Sequence, residues 1–434
     1  MHLVVPLSNM APSRIVAWLI CFSLSMVQRV DAQQSTPPKP AISAVQRLSL
    51  PSAAETELPY NQLPISYLQT TPRDPVTKLL QRLERKEVTL EKSGSSGVLK
   101  HLLRELRVPV SSQLLVFSKS SAQAKLITPA TPRAVYFNDD VYVGWVPGSS
   151  LIEISAADPD LGGTFYSLLQ PEGGEVQLRR DESCLLCHLT RSTLRVPGHL
   201  VRSFTTDSLG NLQTGWSRIT HATAYEERWA GWYVTGPADS LQHLGNVFGT
   251  SSKPGQKLSA PPGPFNIAKA CDLKDYLSAE SDVLPHLVLD HQAHGHNLIT
   301  RLNYEARLKK PITALEPLVR YLLFLDEASL SAPVVGKADY RRWFEEQGPR
   351  DPAQRSLREF DLQTRLFKYR LSYLVSSPAF AALPDQPRAA VWQRIKEVLT
   401  TTATNSQPTV IPPAERHAIL EIVRATVKGL PEGW

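Results

Sequence analysis

Methionine, cysteine and glycine are scarce in this chain of 434 residues, and charge of the two signs is nearly balanced. Each shortage closes off a class of protein. Four cysteines cannot staple a chain of this length as a disulfide scaffold. The 22 glycines and 35 prolines follow no short period, which excludes collagen. Lys and Arg number 47 against 41 Asp and Glu, an excess too small for a nucleic-acid footprint. No apolar run after residue 27 is long enough to suggest a membrane span. What the chain has is apolar content, 42% of residues, which excludes a disordered chain and suffices for two or three domains. Proline is in excess and predicts long ordered loops and Pro-capped helices.

All three methionines, Met1, Met10 and Met26, fall in one N-terminal stretch. There Arg14 precedes an apolar run from Ile15 to Val27, and Val30-Asp31-Ala32 has the small-residue pattern of a cleavage site. Residues 1–32 therefore read as a secretory signal peptide, with an uncleaved anchor as the alternative. Cleavage would leave a mature chain with no methionine and with Cys184, Cys187 and Cys271 as its cysteines. Residues 33–58, rich in Gln, Ser, Thr and Pro, read as a flexible lead-in.

Asp74-Pro75 then predicts a helix start, with Val76, Leu79, Leu80 and Leu83 on one face. A second helix is expected over Val98–Leu106. From there short β-branched and aromatic runs take over: Leu114–Phe117, Ala134–Phe137, Val141–Val146 and Leu151–Ile154. The turn signals Asn138-Asp139-Asp140 and Pro147-Gly148 separate them, which predicts antiparallel hairpins. Extended stretches are also expected at Leu200–Thr205 and Gly231–Val234. After about residue 263 the apolar period becomes helical, over 281–308, 317–327, 355–374, 387–399 and 413–427. The expected fold is α+β: a β-rich antiparallel region over 59–262, a mainly helical region over 263–434, and a haem site of cytochrome c type between them.

That last expectation rests on Cys184-Leu185-Leu186-Cys187-His188. Covalent haem c attachment needs this spacing, because two thiols on one helical turn reach the two vinyl groups and the next imidazole reaches the iron. Cys184 and Cys187 would form the thioethers and His188 would be the proximal ligand of one haem c. A thioredoxin-like dithiol would want the pair after a first strand in a βαβ unit, and here it follows Arg179-Arg180-Asp181-Glu182. A zinc site would want a second ligand pair, and a disulfide across two residues would be strained. Cys271 is expected to be a buried thiol.

Without methionine the ligand opposite His188 must be another histidine, a weaker side chain or nothing. The densest group is Asp290-His291-Gln292-Ala293-His294-Gly295-His296-Asn297, inside the helix expected over 281–308. Helical spacing puts His291 and His294 on a face with Leu287, Leu298 and Leu302, and turns His296 away. His294 is the first candidate for the distal ligand and His291 the second; with Asp290 the two could instead hold a separate metal. His199 could lie near the porphyrin edge, and one of Arg191, Arg195 and Arg202 could pair with a propionate. Trp229, Trp232 and Tyr233, flanked by His221 and His243, read as core.

The chain also resembles a family of exported bacterial proteins described as cytochrome c domain-containing. The likeness rests on Tyr136-Phe137-Asn138-Asp139-Asp140-Val141-Tyr142-Val143-Gly144-Trp145, on the 184–188 motif, and on Val196-Pro197-Gly198. It continues through Glu227–Gly236, the Asp290–Asn297 group and Leu366-Phe367-Lys368-Tyr369-Arg370, so it covers about residues 60–434. It implies a single haem c and brings no established reaction. The resulting expectation is an exported, periplasmic monohaem cytochrome that transfers electrons, with a peroxidase-like oxidoreductase bearing an open distal side as the alternative. Losing Arg14, Arg29 and Asp31 leaves a formal charge of about +5. That charge suits acidic redox partners in the cell envelope, or anionic lipid surfaces, and not nucleic acid.

Overall fold

Asp74 opens the first helix as read from the sequence: its carboxylate accepts the backbone N–H groups of Val76 and Thr77 at 2.7 and 2.9 Å. Pro75 fills the first helical position. The computed structural model describes residues 57–172, 174–236, 241–249, 265–401 and 411–434. The signal peptide, nearly all of the lead-in, and Cys21 lie outside the described residues. Two helices come first, α1 (Pro75–Glu84) and α2 (Leu99–Glu105). Then follow β1 (Leu114–Val116), β2 (Arg133–Phe137), β3 (Val141–Trp145), β4 (Leu151–Asp158), β5 (Gly162–Leu169) and β6 (Gln177–Arg180). One helical turn, α3 (Leu185–His188), carries the motif. A hairpin of β7 (Arg202–Thr206) and β8 (Leu212–Arg218) and the short β9 (Trp232–Tyr233) complete the β region.

Helices supply the rest: α4 (Val283–Arg307), α5 (Leu315–Leu322), α6 (Ala338–Glu346), α7 (Pro378–Ala381), α8 (Asp385–Thr400) and α9 (Pro413–Thr426). The fold class is α+β, with an antiparallel sheet in the middle of the chain and helices in the C-terminal half. Among the described residues no helix is long and apolar enough to cross a membrane.

The sheet has seven strands in the order β6-β5-β4-β3-β2-β1-β9, all neighbours antiparallel. Alternation divides its side chains between two cores. Tyr136, Val143, Ile152, Ile154, Tyr166 and Leu168 pack with Val76, Leu79, Leu99 and Leu102 of α1 and α2, and Cys271 is buried among them. Leu114, Val116, Val135, Phe137 and Tyr142 point the other way, into a larger core with Leu284, Leu287 and Val288 of α4 and the C-terminal helices. Trp229 and Trp232 belong to this second core, and Tyr233 to the first.

Two expectations are corrected. The segment 355–374 is irregular rather than helical. Leu362 has a positive φ of 60°, and the Asp361 carboxylate accepts from the backbone of Gln363 and Thr364 at 2.8 and 2.7 Å. This local turn competes with a helix. Its apolar residues are buried all the same, Phe360 stacking on Phe367 at 5.3 Å. Second, α4 is not amphipathic. From Val283 to Glu305 every residue except His294 is buried, so polar groups on all its faces need partners inside the protein. His296, expected to turn away from the interior, is 2% exposed, with its Nε2–H donated to the Asp139 carbonyl at 2.9 Å.

Candidate functional site

Asp181 accepts the Ser183 N–H at 3.2 Å and starts a 3-10 turn over Glu182–Cys184, which runs directly into α3. Cys184, Cys187 and His188 are thereby carried on consecutive turns of one short helical segment. Cys184 is half-buried, Cys187 exposed, and neither is in a disulfide. Leu185 and Cys184 pack into a small cluster with Phe165, Val196 and Tyr304. Leu186 is 86% exposed. Desolvation, helped by Asp181 and Glu153, pushes the Cys184 thiol up to about 12. A dithiol exchange centre needs the opposite shift, toward the thiolate.

The His188 ring packs on Phe165 of β5 at 4.7 Å. Its Nδ1 lies 2.8 Å from the Gly198 carbonyl, and a carbonyl only accepts, so Nδ1 carries the proton and Nε2 the lone pair. Among the described residues Nε2 makes no hydrogen bond. Desolvation brings the imidazole down to about 4, with Arg202 and Arg133 adding to the shift and the Gly198 carbonyl opposing it. His188 is neutral at ordinary pH and presents the Nε2 lone pair. Arg202 is the arginine of the expected three that sits electrostatically on Cys187 and His188, over the rings of Phe204 and Trp216 at 5.1 and 5.5 Å. Arg195 pairs with Glu57 at 2.8 Å, and Arg191 is exposed.

Three neighbours carried no signal in the sequence reading. Phe165 belongs to a strand that was not anticipated. Arg133 and Glu153 form an ion pair at 3.0 Å across the face of the sheet that holds Phe165. Gly144 makes room for it, since a Cβ there would stand 2.0 Å from the Arg133 guanidinium. A glycine inside a strand was the only available hint.

Five of the other histidines form two groups. His199 lies against Tyr142 at 4.5 Å and His296 at 6.0 Å, and is the histidine whose charge is coupled to His188. Its Nε2 is buried without a partner among the described residues. His221, His291 and His294 gather around Tyr321, with ring separations of 3.8, 5.2 and 5.0 Å. Both nitrogens of His291 are engaged, Nδ1 with His221 Nδ1 at 2.8 Å and Nε2 with Ser372 Oγ at 2.7 Å. His294 keeps Nδ1 unpartnered among the described residues and feels Arg218 and His291. No described contact brings His294 or His291 to His188. Nor is the separate metal site assembled: Asp290 is held by Arg228 at 3.2 Å and Trp229 Nε1 at 3.0 Å. Among the described residues no group of three or more His, Cys, Asp or Glu side chains could hold a metal ion. Family models, curated proteins and solved structures all fail to match this chain.

Proposed function

We propose that this chain is an exported monohaem c-type cytochrome that transfers electrons between partners in the cell envelope. Cys184 and Cys187 would hold one haem c as thioethers, with His188 as proximal ligand. The observation that carries the reading is the state of His188: next to the second of two unpaired thiols, its Nδ1–H is spent on the Gly198 carbonyl, which leaves Nε2 as the coordinating atom. Such a bond fixes the tautomer and orients a ligating imidazole. The residues present fit the group. When bound, the haem supplies one-electron chemistry; the chain supplies attachment, orientation and charge. Arg202 places positive charge beside His188, where a carboxylate of a tetrapyrrole could pair, whereas Arg133 is already paired with Glu153.

A second reading, a single-haem oxidoreductase with an open distal side, is favoured by one observation: His291 has no free nitrogen, and no described contact joins His294 to His188. His294, like His286 and His296 on the same helix, keeps Nδ1 without a partner among the described residues. The attachment test comes first. Protein matured in a host that assembles c-type cytochromes should retain its haem through acid–acetone extraction, and Cys184→Ala with Cys187→Ala should release it. Haem that extracts freely from the unaltered chain, or none at all, overturns the proposal. A low-spin spectrum converted to high-spin by His294→Ala supports the carrier; a high-spin spectrum in the unaltered protein supports the oxidoreductase.

A further inference from the structure

The stretch from the motif to β7 is gripped by residues far away in sequence. His188 donates Nδ1–H to the Gly198 carbonyl at 2.8 Å, and the Gly198 N–H returns to the His188 carbonyl at 2.9 Å. The next residue, His199, gives its backbone N–H to Asn297 Oδ1 and receives Asn297 Nδ2–H at its carbonyl, both at 2.8 Å. Asn297 stands on α4 and is 1% exposed. Gly198 admits this embrace because it has no side chain: a Cβ there would lie 2.3 Å from Asn297 Oδ1. On the other side the Gly163 N–H donates to the Pro197 carbonyl at 2.8 Å, and a Cβ on Gly163 would stand 2.9 Å from the Gly198 nitrogen. The Gly198 peptide is therefore held from the helix and from the sheet at once.

An imidazole that donates Nδ1–H to a well-held acceptor is a stronger donor through Nε2, and second-shell bonds of this kind set the potential of a ligated iron. How firmly the carbonyl is held then decides how much the bond contributes. We infer that Asn297 is a positioning residue: by clamping the His199 backbone it fixes the Gly198 carbonyl against His188 Nδ1, and so sets the donor strength of the proximal imidazole. The inference rests on the assignment of His188 as the iron ligand. Asn303 is the natural comparison, since it lies on the same helix, is 2% exposed, and bonds the Pro159 carbonyl at 3.2 Å, away from the motif.

The test compares Asn297→Leu and Gly198→Ala with Asn303→Leu in the full exported chain. Two quantities are read: exchange of the His188 Nδ1 proton by nitrogen-15 NMR on the reduced protein, and the reduction potential. In Asn297→Leu and Gly198→Ala the proton should exchange about tenfold faster, the factor expected from weakening one hydrogen bond. The potential should rise in both, because weaker donation stabilises ferric iron less. Asn303→Leu should lower the melting temperature and move neither quantity. If Asn297→Leu does not fold, Gly198→Ala decides alone. Unchanged exchange and potential in haem-loaded variants, or equal changes in Asn303→Leu, overturn the clamp and leave the haem assignment standing. A chain that binds no haem overturns that assignment; proton exchange at His188 then judges the clamp by itself, equal rates in Asn297→Leu and the unaltered chain overturning it.

Discussion

Acidification from pH 7 to 5 should take a defined amount of stability from this protein through His286 and His291. Both are fully buried. His286 donates Nε2–H to the Tyr233 carbonyl at 2.9 Å, its Nδ1 has no partner among the described residues, and desolvation brings its pKa from 6.5 to about 3. His291, held between His221 and Ser372, is also brought to about 3, by desolvation and then by His296. At pH 5 both stay neutral in the folded chain, whereas in the unfolded chain they protonate below about 6.5. Between about 3 and 6.5 the unfolded state therefore binds more protons, and stability falls as the pH falls. One unit is worth about 1.36 kcal/mol, so acidification to pH 5 costs about 2 kcal/mol per histidine. The pair accounts for about 4 kcal/mol, against a typical total of ~5–15 kcal/mol. Urea unfolding at half-unit pH steps measures the slope. His286→Gln, which keeps a donor for Tyr233, should remove about half of the pair's share whatever it does to stability at pH 7. A His286→Gln curve parallel to that of the unaltered chain would refute the argument.

Other perturbations test the interior more directly. Arg228→Met leaves the Asp290 carboxylate buried without its guanidinium at 3.2 Å, and should cost about 3–5 kcal/mol in denaturant unfolding. Asp74→Ala removes the cap of α1 and the acceptor of the Thr164 hydroxyl at 2.9 Å; a loss of about 2 kcal/mol is expected, and one below ~0.5 would mean that the cap is idle. Gly163→Ala drives a methyl group against the backbone of Gly198 and should lower stability by about 1–3 kcal/mol, seen as a lower melting temperature.

Local chemistry made much of the fold readable. Asn138-Asp139-Asp140 became the β2–β3 turn, where the Asn138 side chain accepts from the backbone of Asp140 and Val141. Asp74-Pro75 became a capped helix start. Period-based reading failed where burial and helicity part company. Leu357, Phe360, Leu366 and Phe367 are buried at helix-like intervals, yet a turn at Asp361 places them. In α4 helical spacing turned His296 outward, whereas it meets the Asp139 carbonyl, and its neighbours also find partners from elsewhere: Gln292 the Tyr142 hydroxyl at 2.8 Å and Asn297 the His199 backbone. Such pairings join residues more than 90 positions apart, and a sequence window cannot contain them. Cys184, Cys187 and His188 were legible because their spacing is itself the chemistry; Phe165, Gly198 and Asn297 were not, because only tertiary structure gathers them.

The clamp on Gly198 also has an order in time. His199 and Asn297 are 98 positions apart, so at roughly 5–20 residues per second synthesis of the second trails the first by about 5–20 s. Throughout that interval the segment bearing Cys184, Cys187 and His188 exists without α4. The consecutive positive-φ residues Leu194 and Arg195 lack the Arg301 bond to the Leu194 carbonyl until α4 arrives. In the finished chain α4 therefore holds the loop after the motif at two places, the His199 backbone and the Leu194 carbonyl. A chain ending before residue 283 would lack both of these holds.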